Sequence, residues 1–185
     1  MQVHINIDGG SRGNPGIGAA AYVITAMEGE ILAQEGYFMP HCTNNQAEYT
    51  ALKLALLKAK ELGAKELFIE SDSLLLVKQF LGEYKIKNPD LQARMKIIRI
   101  LQRPFTIHIR HVLREFNKAA DALANEAMDE RETLGFNAIK RLPSDAEILL
   151  RAICVNGVQV RPVVREEPDP DQTTGKKPHQ PDLFE

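Results

Sequence analysis

The chain has no tryptophan, and only 6% of its 185 residues are aromatic. Its two cysteines, Cys42 and Cys154, stand in no metal-ligand spacing. That excludes a cysteine-held metal and suits the free thiols of a cytosolic protein, so a cytoplasmic location is expected. No run of about 18 uncharged apolar residues occurs, so no membrane span is expected. The N-terminus lacks the basic-then-apolar order of a signal peptide. An excess of one sign of charge is lacking too: the formal net charge is −2, and such a sum does not announce a nucleic-acid binder.

The distribution says more than the sum. Lys78 to Lys118 holds ten Lys or Arg against three acids, whereas Met1 to Val77 holds five against nine. A basic segment after an acidic one suits a binding face beside a cation site, and equally a solvated helix surface. Hydrophobic residues make up 44%, enough for one packed domain with an appendage.

The pattern of apolar residues sets out the elements. "MQVHINID" alternates, with Val3, Ile5 and Ile7 on one face and His4, Asn6 and Asp8 on the other, which is strand period. "IGAAAYVIT" and "EILAQEGYF" continue it as an antiparallel meander. "TNNQAEYTALKLALLKAKELG" reads as a helix, with a Thr43–Gln46 capping box and Gly63 as its stop. "KELFIESD" is a short buried strand. "SLLLVKQFLG" and "NPDLQARMKIIRILQR" are helices, the second with Pro89 in its first turn. "PFTIHIRHV" alternates, and "NKAADALANEAMDER" is an Ala-rich helix. The order βββ-α-β-α-α-β-α predicts an α/β protein with a five-stranded mixed sheet and helices packed on it. That unit spans residues 1–132. Residues 133–165 form a small extension of a helix, with a Ser144–Glu147 capping box, and a hairpin turning at Asn156–Gly157. Residues 166–185 are a polar, Pro-rich tail expected to be disordered.

Four acids break the pattern of solvated charge. Asp8 closes its strand. Glu48, in the first turn of its helix, heads an apolar stripe through Leu52, Ala55, Ala59 and Leu62. Asp72 ends "LFIESD", and Asp121 borders the face of Ala120, Leu123, Ala124, Ala127 and Met128. A carboxylate on a core-facing stripe is costly unless compensated, and acids brought together raise one another's pKa. Each has an ordinary explanation alone: helix-dipole stabilisation for Glu48, helix capping for Asp72, turn amides for Asp8, an ion pair with Lys118 for Asp121. Together they favour a site for Mg²⁺ or Mn²⁺, which take hard oxygen ligands. The glycine group after Asp8 lacks the Lys-Ser/Thr of a phosphate-binding loop, and a strand rather than a helix follows it.

"DGGSRGNPG", "TNNQAEYTAL", "ESDS" and "NKAADALANEA", in this order and spacing, resemble type 1 ribonuclease H, in particular its small reverse-transcriptase-like members. The resemblance covers roughly residues 1–130. It implies hydrolysis of the RNA strand of an RNA–DNA hybrid, giving 5′-phosphate and 3′-hydroxyl ends. It implies metal-binding carboxylates at Asp8, Glu48, Asp72 and Asp121, holding two ions roughly 4 Å apart. Substrate contacts carry over to Gly9, Ser11, Arg12, Gly13, Asn14, Thr43, Asn44 and Asn45, with Ser73 a further candidate. Amide and backbone groups there distinguish RNA by its 2′-hydroxyl. His111, ten residues before Asp121, matches a loop histidine that assists proton transfer or product release, but it also reads as a structural residue ending the Phe105-Ile107-Ile109 face. The basic, Trp-containing handle of larger relatives is missing. Lys85, Lys87, Arg94, Lys96 and Arg99 are the partial substitutes, and hybrid binding is expected to be weak and salt-dependent.

In the tail, Gln180, Asp182, Leu183 and Phe184 resemble the short peptide by which bacterial replication and repair proteins bind the sliding clamp. An apolar pair on a polar linker is what docking into a hydrophobic groove requires. Two other functions stay open: a hybrid-binding module with little catalysis, and another nuclease of the same fold.

Overall fold

The computed structural model describes residues 1–139 and 141–154. The elements run β1 (Gln2–Gly13), β2 (Gly16–Ala26), β3 (Ile31–Cys42), α1 (Asn44–Glu61), β4 (Glu66–Ser71), α2 (Leu74–Phe80), α3 (Pro89–Leu101), β5 (Thr106–His111), α4 (Lys118–Glu130), β6 (Leu134–Phe136) and α5 (Asp145–Cys154). A single 3-10 turn, Arg114–Phe116, precedes α4. The strands make one sheet in the order β5-β4-β1-β2-β3-β6. β1, β2 and β3 pair antiparallel as the meander predicts, and the crossovers through α1 and through α2–α3 make β4 and β5 parallel neighbours.

The two faces of β1 separate as the alternation requires. Val3, Ile5 and Ile7 join Tyr22, Ile24, Leu67 and Ile69 in the main core beneath α1. On the other face Ala19, Ala21 and Val23 of β2 pack against Leu123, Ala124, Ala127 and Met128 of α4. α3 packs on α1, α5 packs on α3, and Ile148 of α5 enters the main core. The helix ends follow their capping residues. Thr43 and Gln46 form the reciprocal box that starts α1, Gly63 takes a left-handed φ of 74° after it, and Ser144 and Glu147 do the same for α5.

Three expectations are corrected. The sheet has six strands, not five, because Leu134–Phe136 pairs with Gln34–Gly36 at the far edge. Three residues are too few to show a period. Asp8 does not end its strand: β1 continues through the glycines to Gly13 and turns at Asn14–Pro15 into β2. Glycine there signals extended pairing with β2 rather than a loop. Glu48 is the fifth residue of α1, beyond the first turn, so the helix dipole does not account for it. The Asn156–Gly157 hairpin and the tail peptide lie outside the described residues.

Candidate active site

β1 and β4 run side by side from Gln2↔Glu66 to Ile7↔Ser71, where β4 stops. Asp8 is therefore the first residue of β1 past the carboxyl end of its neighbour, and Asp72 the first after β4 itself. A side chain at either position faces no further strand partner on that side. On its other side Asp8 pairs with Ala21, a small residue on the face that α4 covers, which lets Asp121 approach. Gly9 brings in the fourth acid. A Cβ at Gly9 would lie 2.3 Å from the amide nitrogen of Glu48 and 2.4 Å from the carbonyl carbon of Ala47. Only a bare α-carbon admits the main chain of α1 at that point.

The acids act on one another. Burial pushes the Asp8 carboxyl up to about 7, and the charges of Asp72 and Asp121 add to it, against a hydrogen bond from the Gly9 amide. Burial also pushes Glu48 up to about 7; a hydrogen bond from Ser73 opposes the shift and the charge of Asp72 adds to it. Ser73 Oγ donates to Glu48 Oε2 at 2.6 Å while accepting from Leu76 N as the cap of α2. A set of hard oxygen donors, two of them held high by burial and mutual repulsion, fits a divalent cation. Among the described residues no three acid, His or Cys side chains already close on a single ion-sized point. Asp121 is turned onto Arg114, and Glu48 onto Ser73.

Two supporting residues escape a reading of the sequence. Asn117, just 1% exposed, stands at the start of α4. Its amide nitrogen donates to the Ile7 carbonyl at 2.9 Å and to Asp72 Oδ1 at 3.3 Å, and its own carbonyl accepts from the Asp121 amide at 3.1 Å. One side chain thus touches β1 next to Asp8 and the Asp72 carboxylate itself, and its backbone anchors Asp121. Arg114 pairs with Asp121, and the charges of Asp8 and Asp72 also reach it. A basic residue seven before Asp121 was visible in the sequence, but only the short 3-10 turn shows that it faces the acids.

The candidate substrate residues gather at the β1–β2 turn and the start of α1. Asn44 Oδ1 accepts from Ser11 N at 2.7 Å and Ser11 Oγ at 2.9 Å, and Asn44 N donates to Asn14 Oδ1 at 3.3 Å. Asn14, Thr43 and Asn45 line a polar hollow of about 210 Å³ with Gln46, Asn88, Asp90 and Leu91. Asn88 also caps α3, accepting from the Asp90 and Leu91 amides, a role that hid it among turn residues. Gly13 has a φ of 98°, which a turn of this kind needs. Arg12 pairs with Asp129 of α4 at 2.5 Å, and the cleared face of Gly9 is filled by α1. His111 is exposed at the end of β5. It lines a cleft with His4, Glu70, Arg110, Val112, Leu113 and Phe116. Among the described residues, the basic side chain that forms an ion pair with an acid of the cluster is Arg114. Of the five proposed handle substitutes, Lys85, Lys87 and Lys96 are exposed. Arg94 pairs with Asp90 at 2.8 Å, and Arg99 lies 4.8 Å over the Phe80 ring.

A family model described as "Reverse transcriptase-like" matches residues 6–127. Ribonuclease HI of Halobacterium salinarum is 42% identical over 130 residues, which are 70% of this chain and 65% of that protein. The crystal structure of RNase H1 from the same archaeon superposes with a TM-score of 0.68 at 42% identity, covering 70% of this chain and 99% of that one. LC11-RNase H1, solved in complex with an RNA/DNA hybrid, superposes with a TM-score of 0.67 at 36% identity, covering 70% of this chain and 98% of that one. The chain belongs to the reverse-transcriptase-like type 1 ribonuclease H family.

Proposed function

We propose that this protein hydrolyses the RNA strand of RNA–DNA hybrids as a metal-dependent endoribonuclease. The observation that carries the reading is the meeting of Asp8, Glu48, Asp72 and Asp121 at the end of β4, on a family framework of which one member has been solved with a hybrid bound. Asp8, Glu48, Asp72 and Asp121 would hold Mg²⁺ or Mn²⁺. When bound, a pair of such ions supplies an activated water and stabilises charge on the departing 3′ oxygen.

The rest of the site serves orientation and charge. Asn14, Asn44, Asn45 and the Ser11–Gly13 backbone offer amide groups to the 2′-hydroxyls that mark an RNA strand. Thr43 offers its hydroxyl, and the start of α1 its positive dipole end, to a phosphate of the other strand. Arg114 places a fixed positive charge beside Asp121, where negative charge builds during cleavage. Lys85, Lys87 and Lys96 add a weak, screened attraction to the duplex. Removal of primers and R-loops, a cytoplasmic location and a role in DNA replication belong to the same proposal. So does clamp binding through Gln180, Asp182, Leu183 and Phe184, which titration of the tail peptide against a purified clamp tests. No binding at high micromolar concentration ends that part.

The deciding assay compares wild type with Asp8→Asn on labelled hybrid, double-stranded RNA and single-stranded RNA, in Mg²⁺ and in Mn²⁺. The expected result is metal-dependent cleavage of the hybrid, lost in the variant. Equal activity in the variant removes the metal assignment. A preference for double-stranded RNA removes the substrate. Binding without cleavage by wild type leaves a hybrid-binding module.

A further inference from the structure

The acid cluster does not stand alone at the end of β1 and β4. One step back along the strands, on the face away from α1, a second polar group lies half-buried beneath it. Glu70 is directly across from Asn6 in the register and is only 7% exposed. Its Oε1 accepts from Arg110, with Nε at 2.8 Å. Its Oε2 accepts from Asn6 Nδ2 at 3.3 Å and lies 3.3 Å from His4 Nε2. The same Asn6 amide nitrogen donates to Asn117 Oδ1 at 3.2 Å. Asn117 Nδ2 then donates to the Ile7 carbonyl and to Asp72.

These contacts have a direction. Glu70 only accepts, so Asn6 presents its NH₂ to it. That NH₂ also meets Asn117, which must answer with its oxygen. The Asn117 nitrogen is left facing Ile7 O and Asp72, both acceptors. Turned over, the Asn117 amide would set an oxygen against two acceptors and its NH₂ against another NH₂. The orientation of a buried amide is decided by such partners.

We propose that Glu70 and Asn6 are positioning residues that fix which way the Asn117 amide points, and through it hold Asp72 and the Asp8 strand in metal-binding geometry. The assignment deepens the nuclease reading and rests on it for the identity of the ligands. Each acts on the acids only through the Asn117 amide. Asn6 and Glu70 both belong to strand positions that alternation leaves on the face away from the main core. There a short polar residue facing a buried acid has no packing role to explain it.

The test titrates Mn²⁺ into metal-free protein by calorimetry and measures hybrid cleavage in parallel, for wild type, Asn6→Ala and Glu70→Gln. Metal affinity is expected to fall on the order of 10- to 100-fold in both variants. The turnover number should fall with it at limiting metal, with KM for hybrid unchanged. Glu70→Gln retains the shape but can donate, which frees Asn6 and Asn117 to turn over. Should it fail to fold, Asn6→Ala decides, because Glu70 there keeps Arg110 and His4. Wild-type Mn²⁺ affinity in a folded Asn6→Ala, with only its melting temperature lowered, overturns the proposal in favour of plain structural bonding. A wild type that binds Mn²⁺ without cleaving hybrid overturns the nuclease reading instead, and the difference in affinity between wild type and variant still decides the positioning role.

Discussion

Glu48 rests on Gly9. The α1 main chain at Ala47–Glu48 occupies the space a β-carbon would take on β1, 2.3 Å from the Glu48 nitrogen. The atoms that β-carbon would meet, Glu48 N and the Ala47 carbonyl, are main chain, so neither can swing aside. Gly9→Ala must push the start of α1 off the sheet. The expected cost is about 1–3 kcal/mol of stability, with cleavage falling on the order of 100-fold, because a displacement of about 1 Å disrupts such geometry. Steady-state kinetics and thermal melts on the folded variant check both. Unchanged turnover would show that α1 is not held at a fixed height for catalysis.

The raised carboxyls set a pH dependence. Asp8 gives up its proton near pH 7 in the fold, against 3.8 as the ordinary value. The fold therefore binds more protons than the unfolded chain across that interval. The stability this group contributes is complete below about pH 4 and is lost as pH rises to 7. Glu48, also near 7, acts in the same direction. Without divalent metal, Asp8→Asn is expected to be more stable than wild type at pH 8 by on the order of 2 kcal/mol, and equal to it near pH 4. Added Mg²⁺ should narrow the gap at pH 8 by stabilising wild type alone. Denaturant melts with and without chelator measure it, and a gap that does not change with pH rules out this origin.

Arg114 separates function from stability. Its pair with Asp121 is 72% exposed on the arginine side, so losing it is expected to cost under about 1 kcal/mol. Arg114→Ala should nonetheless lower turnover at saturating metal on the order of 10-fold, with Arg114→Lys recovering part of it. His111→Ala provides the contrast, since no described hydrogen bond joins that ring to the acids. If His111→Ala is the more damaging change, the loop histidine and not the arginine serves the reaction.

Salt gives a separate reading of the basic segment. Lys85, Lys87 and Lys96 are exposed, while Arg94 and Arg99 are engaged within the fold. Replacing the three lysines by Ala should flatten the dependence of hybrid KM on salt by about three counterions' worth of slope, and replacing Arg94 should change it little. Equal slopes for all variants would place the duplex elsewhere.

What the sequence revealed and what it hid divide along physical lines. Strand alternation, the Thr43 box and the four acids were legible because each is local: a period, a cap or a misplaced charge. The meeting of Asp8 with Asp72 was only half legible. It depends on β4 ending one residue before Asp72 while β1 runs on, and the glycines that let β1 continue read as a turn. Asn117 and Asn88 looked like ordinary polar residues at helix starts. Asp72, which Asn117 bonds, lies 45 residues away in sequence, and Asn88 lines one hollow with the distant Thr43, relationships that no local pattern reports. Nor did alternation reveal that Glu35 and Lys58 are 3% and 4% exposed. What buries them is the stretch after α4, whose pairing with β3 leaves no periodic trace.

That stretch carries the last expectation. Lys58 Nζ donates to Glu61 at 3.0 Å, to Asn137 Oδ1 at 3.1 Å and to the Ala138 carbonyl at 3.5 Å. Ile139 N donates to Glu35 Oε2 at 3.3 Å, and Asn137 Nδ2 to the Leu32 carbonyl at 2.9 Å. One buried ammonium thus ties residues 137–138 to α1 while the β6 edge closes on β3. Lys58→Met fits the same volume but leaves these acceptors without their donor. It should cost about 1–3 kcal/mol, and amide exchange should quicken in β6 and residues 137–139 well before β4. The acid cluster sits at the opposite end of α1, so metal-saturated turnover should stay within about twofold of wild type at temperatures below the melt. Uniform loss of protection across the sheet would instead make the segment part of one cooperative unit with the site.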